Sequence, residues 1–231
     1  MSALPRFRLD RTRYASPQVL DSLREAILSL ELPPGAVLTR LELADHFGVS
    51  QTPVREALLR LQEEGLVDVF PQSGTLVSRI DIAAAREAHF LRRSLELELV
   101  HQLALQPPPG LVEGMKATIA QQALLAKAQR YGEFVEADRA FHRQMYDALG
   151  VPALWDLVTK ASGHVDRLRR LHLPTAGKTE SILRDHRAIV RGIEGRDPAA
   201  ASSALRQHLS GTLSAVDEIC RQYPDYVSDR H

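Results

Sequence analysis

The first hydrophobic repeat of the chain has helical spacing and ends at a proline-rich turn. Leu20, Leu23, Ile27 and Leu30 recur every three or four residues, so they share one face of a helix over residues 17–30. The Pro-Pro-Gly sequence at 33–35 ends this helix and turns the chain. The pattern therefore predicts a short amphipathic helix followed by a turn.

Residues 41–66 contain a short amphipathic segment, a Gly-containing break and a longer helix. Ser50 is the predicted N-cap of the longer helix, and its hydroxyl is expected to accept a backbone N–H of the first turn. Pro53 lies in that first turn, where a missing N–H costs nothing. Apolar residues from Val54 to Leu61 bury one face and leave the polar residues near the start exposed. This arrangement predicts a helix-turn-helix with its second helix in the DNA major groove; the alternative is an ordinary helical hairpin.

Two β-rich runs after the second helix favour the DNA-binding interpretation. Residues 66–70 and 75–78 flank a turn cluster that ends at Gly74, which is typical of a β-hairpin. A helix-turn-helix followed by a hairpin is a winged helix-turn-helix.

Beyond Ser78 the hydrophobic spacing is almost entirely helical. Its breaks predict six antiparallel helices in a bundle, so the fold class is mostly α, with an N-terminal winged helix-turn-helix and a C-terminal all-α bundle. The predicted helices span 82–105, 111–129, 132–149, 153–173, 178–193 and a last one that Asp197 caps and that extends through Ile219. The predicted organisation is a flexible arm (1–15), a winged domain (16–79), a helical domain (80–222) and a frayed tail (223–231).

Four polar residues interrupt the apolar faces of this bundle. Asp138 and His142 are one helical turn apart, and His186 and His208 lie within apolar stretches of two other helices. A buried carboxylate and buried imidazoles need partners, and sharing one divalent cation (zinc, nickel, manganese or iron) supplies them. The alternative is an ordinary hydrogen-bonded core network. His164 could approach the same cavity.

Composition limits the remaining possibilities. A length of 231 residues favours two domains, and a net charge of zero means that any DNA-binding surface must be locally basic. Arginines cluster near the N-terminus and again at Arg40, Arg55 and Arg60. The single Cys220 fits a reducing compartment, and no apolar run approaches 18 residues, so a cytoplasmic protein without membrane association is expected.

The N-terminal motifs resemble the DNA-binding domain of GntR-type bacterial transcription regulators. The matching residues are Leu32-Pro33-Pro34-Gly35, Leu43-Ala44, Phe47-Gly48-Val49-Ser50, Thr52-Pro53-Val54-Arg55-Glu56-Ala57-Leu58, Glu64-Gly65-Leu66-Val67 and Gly74. This resemblance implies binding to double-stranded operator DNA. A homodimer is expected, because one recognition helix reads too few bases for useful specificity. The expected contacts are Arg40, Ser50, Gln51, Thr52, Pro53, Arg55, Ser73 and Gly74. Gln51 departs from the family, which usually has Arg there.

The helical portion resembles the FCD ligand-binding domain of the FadR subgroup, in its shorter six-helix form. The matching residues are Arg92 with Leu95-Glu96, Asp138 with Phe141-His142, His186 with Ala188-Ile189, and His208 with Leu209. Members with this Asp and these three His bind a metal that holds a small carboxylate effector. The resemblance thus implies the metal ligands Asp138, His142, His186 and His208. Arg92 is the expected effector contact; its alternative is an ion pair with Glu96.

These features predict a metal-dependent, small-carboxylate-responsive transcription regulator, a repressor that its effector releases, and not an enzyme. The alternatives are a metalloenzyme or a purely structural metal site beside an accessory winged domain. A catalytic site would need an additional inward acid or base, and no such Asp or Glu stands out in the sequence.

Overall fold

The computed structural model describes residues 9, 10, 12–70 and 74–228. The chain forms two compact units: residues 1–85 with 163–168 and 218–231, and residues 86–162 with 169–217. The domain bounds expected from the sequence are continuous segments, whereas each of these units combines separate segments. Those bounds stay predictions. Within the described part of the chain, no helix combines the length and the apolarity needed to cross a membrane.

The first unit has the order of elements expected of a winged helix-turn-helix. Strand β3 (Gly74–Val77) lies in the middle of a three-stranded antiparallel sheet and pairs with β2 (Val67–Phe70), so the predicted hairpin is confirmed. Strand β1 was not predicted, because two residues are too short to show an alternating pattern. The elements are α1 (Ala15–Leu28), β1 (Val37–Leu38), α2 (Arg40–Phe47), α3 (Gln51–Glu63), β2 (Val67–Phe70) and β3 (Gly74–Val77).

Ser50 is the N-cap residue of α3, but the prediction that its hydroxyl caps the helix is wrong. Its side chain makes no capping hydrogen bond. A capping side chain bonds the N–H of the second or third helical residue. The third residue here is Pro53, which has no N–H, so only the N–H of Thr52 is left as a possible partner. The Ser50 side chain is exposed instead.

The described residues after β3 are mostly helical, with more breaks than the sequence pattern predicts. The helices are α4 (Ile82–Leu105), α5 (Leu111–Lys127), α6 (Tyr131–Ala148), α7 (Pro152–Ala161), α8 (Gly163–His172), α9 (Lys178–Glu194), α10 (Pro198–Leu213) and α11 (Val216–Gln222). The predicted cap of α10 is confirmed, since Asp197 accepts a hydrogen bond from the backbone of Ala200 at 2.9 Å.

Two predicted helices are each divided in two by a serine. The Ser162 hydroxyl donates to the Val158 carbonyl at 2.7 Å, while the Ser162 backbone N–H bonds only as far back as Thr159. The Ser214 hydroxyl likewise donates to Gly211, the carbonyl that the next backbone N–H would use in a continuous helix. At each break a serine side chain thus competes with the backbone for a helical carbonyl.

The C-terminal segment was expected to fray, and that expectation is wrong for its described residues. Tyr226 accepts a hydrogen bond from the Ile80 backbone at 2.8 Å, and the Ser228 backbone donates back to Ile80 at 3.0 Å. Val227 is buried. The segment is therefore held by strand-like pairing with the residues that precede α4.

Candidate metal centre and DNA-binding face

Asp138, His142, His186 and His208 meet inside the second unit, as the metal-site prediction requires. One ligand atom from each of the four lies within 4.8 Å of the others, and all four side chains are buried. Helix α6 contributes the first two residues, and α9 and α10 contribute one histidine each. Three elements thus converge on one point.

Three separations between the ligand atoms match the coordination sphere of one ion. Nε2 of His208 lies 3.1 Å from Nε2 of His142 and 3.3 Å from Nε2 of His186. Oδ1 of Asp138 lies 3.4 Å from Nε2 of His186. Metal–nitrogen bonds of about 2.0–2.1 Å place neighbouring ligands about 2.9–3.4 Å apart in octahedral or tetrahedral geometry. The four residues therefore fit a divalent metal.

Two outer residues determine which ring nitrogen faces the centre. Nδ1 of His142 lies 2.9 Å from Oε2 of Glu96, and Nδ1 of His186 lies 3.0 Å from Oε1 of Gln122. The carboxylate charge near Nδ1 of His142 and the amide oxygen bonded to Nδ1 of His186 favour the proton on each Nδ1, which leaves a lone pair on each Nε2. Nε2 lone pairs that converge in this way suit a cation better than a hydrogen-bonded network.

The sequence interpretation missed both outer residues as partners of the cluster. Glu96 was considered only as a partner of Arg92. Gln122 follows Met115 and Ile119 on the buried side of α5, and it is itself fully buried. A polar residue in an apolar stripe was the signal that could have identified it.

The cluster is electrostatically prepared for a cation. Burial lowers the pKa of His142, takes the pKa of His186 to about 3 and holds that of His208 well below its usual value, so all three imidazoles are neutral ligands at pH 7. Burial pushes the pKa of Asp138 upward, but Arg169 and the neighbouring histidines bring it down to about 2. The carboxylate is therefore ionised.

Two arginines accompany the cluster. Arg92 donates from Nε to Oε1 of Glu96 at 2.7 Å, which is the ion pair weighed as the alternative to effector binding. Its role as an effector contact stays a prediction. Arg169 donates to Oδ2 of Asp138 at 3.1 Å and keeps 23% of its side-chain surface exposed.

The predicted DNA-contacting residues are on the surface of the first unit. Arg40, Ser50, Gln51, Thr52, Arg55 and Gly74 are exposed and Pro53 is half-buried, whereas Ser73 lies outside the described residues. Arg40, Arg55 and Gly74 line one groove of about 350 Å³ between α3 and the hairpin. The same groove has an apolar floor that sequence reasoning missed, with Leu59 and Phe70 each more than 40% exposed.

Comparison with known families decides the identity of both units. Residues 15–77 match the family model described as "Bacterial regulatory proteins, gntR family", and residues 87–211 match the FCD domain. The chain is a GntR-family transcription regulator with an FCD domain.

Relatives of this GntR regulator share nearly its whole length. An uncharacterized HTH-type transcriptional regulator in an unstable DNA locus of Streptomyces ambofaciens is 37% identical over 203 residues, covering 88% of this chain and 85% of that protein. The HTH-type transcriptional repressor RspR of Escherichia coli (strain K12) is 28% identical, covering 96% and 97%. The solved structure of E. coli McbR/YncC, at 20% identity, has the same fold with a TM-score of 0.75 over 91% of this chain and 99% of that one.

His164 of the GntR regulator belongs to the first unit and not to the metal cluster. Its Nδ1 accepts a hydrogen bond from the Asp81 backbone at 3.0 Å. Beside it, the fully buried Arg167 donates to the Ser78 carbonyl at 2.6 Å and to the Ser78 hydroxyl at 3.2 Å. These bonds join the first turns of α8 to the segment that follows β3. Nothing in the one-sequence pattern distinguished Arg167 from a surface arginine.

Proposed function

We propose that this GntR-family regulator is a metal-dependent repressor that leaves its operator when a small carboxylate binds. The observation that carries the proposal is the convergence of Asp138 and three histidine Nε2 atoms in a buried, metal-sized space. We propose further that it acts in the cytoplasm as a homodimer and has no catalytic role.

DNA binding would use the exposed start of α3 and the groove beside the hairpin. Arg40 and Arg55 border that groove and supply the local positive charge that a chain of zero net charge must concentrate at its DNA face. Ser50, Gln51 and Thr52 form the exposed end of α3, the part of a recognition helix that contacts base edges. Repression is proposed because the relative RspR is described as a repressor.

Effector binding would use the coordination positions that the four protein ligands leave open. A bound divalent ion acts as a Lewis acid and attracts a carboxylate oxygen. The protein's own part is to hold Asp138 ionised through Arg169 and to hold His142 and His186 in orientation through Glu96 and Gln122. Four ligands leave one or two positions for water or a carboxylate.

Metal analysis of His186→Ala tests the proposal. Wild type and variant are loaded identically with zinc, and bound metal is measured per subunit. The expected result is one ion per wild-type subunit and strongly reduced content in the variant, because the variant loses one of four ligands. His101→Ala, at an exposed position of α4, is the matched control and should retain full metal content.

Chelator provides the second measurement. The thermal midpoint of wild type should fall when metal is removed, since a ligand that binds only the native state stabilises it by about 2.7 kcal/mol at a hundredfold its dissociation constant. The midpoint of His186→Ala should respond little. Equal metal content in wild type and His186→Ala, with midpoints equally indifferent to chelator, would make the cluster an ordinary buried polar network.

A further inference from the structure

Lys178 places an ammonium group next to the helix that carries His208. It is the first residue of α9, and its Nζ lies 3.0 Å from the position that a Cβ atom would take at Gly211. Gly211 follows His208 by three residues on α10, one helical turn away on the same face. The absence of a side chain at Gly211 makes room for the ammonium group beside the metal cluster.

This position is electrostatically unfavourable for a lysine. The N-terminus of a helix carries partial positive charge and favours anions over cations. Burial and the nearby Arg169 both lower the pKa of Lys178. Within the described part of the chain, its ammonium group has no hydrogen bond or ion pair. The charge of Lys178 therefore has no direct partner among the described residues through which it would stabilise the folded state.

The carboxylates that attract Lys178 are already bonded to arginines. Asp185 lies 3.2 Å from Arg184, and Asp138 lies 3.1 Å from Arg169. When the cluster holds a divalent ion, Arg169 and Lys178 add two further positive charges at its side. Lys178 is half-buried and Arg169 is partly exposed, whereas the histidines are buried. The two cations are therefore more accessible to solvent than the predicted metal ligands.

We propose that Lys178, together with Arg169, binds a second anionic group of the effector, so that the effector is a small dianionic acid rather than a monocarboxylate. One carboxylate would approach the metal, and the second would be held by the ammonium and guanidinium groups through charge-assisted hydrogen bonds. The inference rests on the proposed metal and carboxylate site and names the chemical class of its ligand.

Calorimetric titration of zinc-loaded protein with matched acids tests this assignment. The probes are succinate and butyrate, which have the same carbon number and differ in the second carboxylate, with malonate and propionate as a shorter pair. In at least one pair, wild type should bind the diacid at least tenfold more tightly. Lys178→Met keeps the length of the side chain and removes its charge, so it should lose most of that preference and bind the monoacid within about twofold of wild type. Lys160→Met, at an exposed position of α7, is the control and should behave as wild type.

Each other outcome has a separate meaning. Equal affinity for both acids of each pair in wild type overturns the dianion assignment and leaves the metal and carboxylate proposal standing. A diacid preference that survives in Lys178→Met overturns the role of this residue. If zinc content is normal but none of the four acids binds, both the dianion assignment and the carboxylate-effector proposal fail. Zinc content of each variant, measured in parallel, checks that the site is intact.

Discussion

Glu96 connects two buried groups at the metal cluster. Its Oε1 accepts from Arg92 and its Oε2 faces Nδ1 of His142, and the Glu96 side chain is fully buried. Burial raises the pKa of this carboxyl, but Arg92 and His142 together lower it to about 2. The neighbouring groups thereby balance the negative charge of Glu96. The main effect of this carboxylate is to fix the orientation of the His142 ring. Arg92, which was expected to contact the effector, therefore also helps to hold the predicted metal ligand His142 in place through Glu96.

Arg55 is the residue whose removal most directly tests the DNA-binding face. Arg55→Ala should weaken operator binding by about 1–3 kcal/mol if the guanidinium makes a bidentate contact with guanine. Fluorescence anisotropy with a labelled operator measures the loss. Arg206→Ala, at an exposed position of α10, is the control for removing one positive charge elsewhere. Unchanged affinity of Arg55→Ala would contradict the placement of this helix in the groove.

His164 should make stability depend on pH. Burial, followed by the charge of Arg167, lowers its pKa in the folded state from an ordinary value of about 6.5 to about 4. The unfolded chain therefore binds a proton that the folded chain does not between these values, so stability falls as pH falls from 6.5 towards 4. The loss is about 1.4 kcal/mol per pH unit and about 3 kcal/mol in all.

Denaturant unfolding of metal-free protein at pH 7 and pH 5 measures this effect. His164→Gln keeps an acceptor for the Asp81 N–H but cannot be protonated in this range, so its stability should decline less than that of wild type. His101→Gln, at an exposed site, should decline as wild type does. Identical pH dependence of His164→Gln and wild type would mean that His164 titrates normally in the folded protein.

Hydrophobic periodicity located nearly every helix but not the interruptions within two of them. The periods that end at Leu105 and Ala148 were visible because a proline-rich segment or a glycine follows each. The breaks at Ser162 and Ser214 coincide with serine hydroxyls that bond backbone carbonyls, and a serine in a helix has several such options. The pattern of a single sequence reveals periodicity and strong helix breakers, but it does not reveal which local hydrogen bond a serine hydroxyl makes.

The contact between α9 and α10 depends on Gly192. A Cβ atom at this position would lie 2.6 Å from both the Cα and the N of Ala201, so the two backbones could not remain this close. Gly192→Ala should destabilise the protein by about 1–3 kcal/mol through overpacking. It should also weaken zinc binding, because α9 carries His186 and α10 carries His208.

Chemical denaturation and zinc titration of the variant measure both effects. Gly114→Ala is the matched control within a helix, since its added Cβ would meet only the flexible end of Gln144. That change should be neutral or stabilising, because alanine is the better helix former by up to about 1 kcal/mol. Equal losses in the two variants would indicate that close packing of α9 on α10 is not the cause.

Across the whole chain, the sequence predicted which four residues come together in the bundle better than it predicted what surrounds them. The four metal-site residues break an apolar stripe, so their inward direction followed from periodicity alone. The contacts of Gln122 and Lys178 required the tertiary arrangement, because the partner of Gln122 is 64 residues away and Lys178 lies against Gly211. The local positive charge beside α3 was visible despite a net charge of zero, because Arg40 lies close to the predicted recognition helix in the sequence and Arg55 lies within it.

The operator should be a short inverted repeat that two copies of the chain bind together. A single recognition helix contacts too few base pairs for useful specificity, and a symmetric dimer doubles the number that are read. Selection of binders from a random duplex library should therefore recover two inverted half-sites, with two chains per duplex by analytical ultracentrifugation. Inserting five base pairs between the half-sites rotates one by about half a helical turn and should reduce affinity to that of a single half-site. Full affinity for an isolated half-site would show that one chain is sufficient.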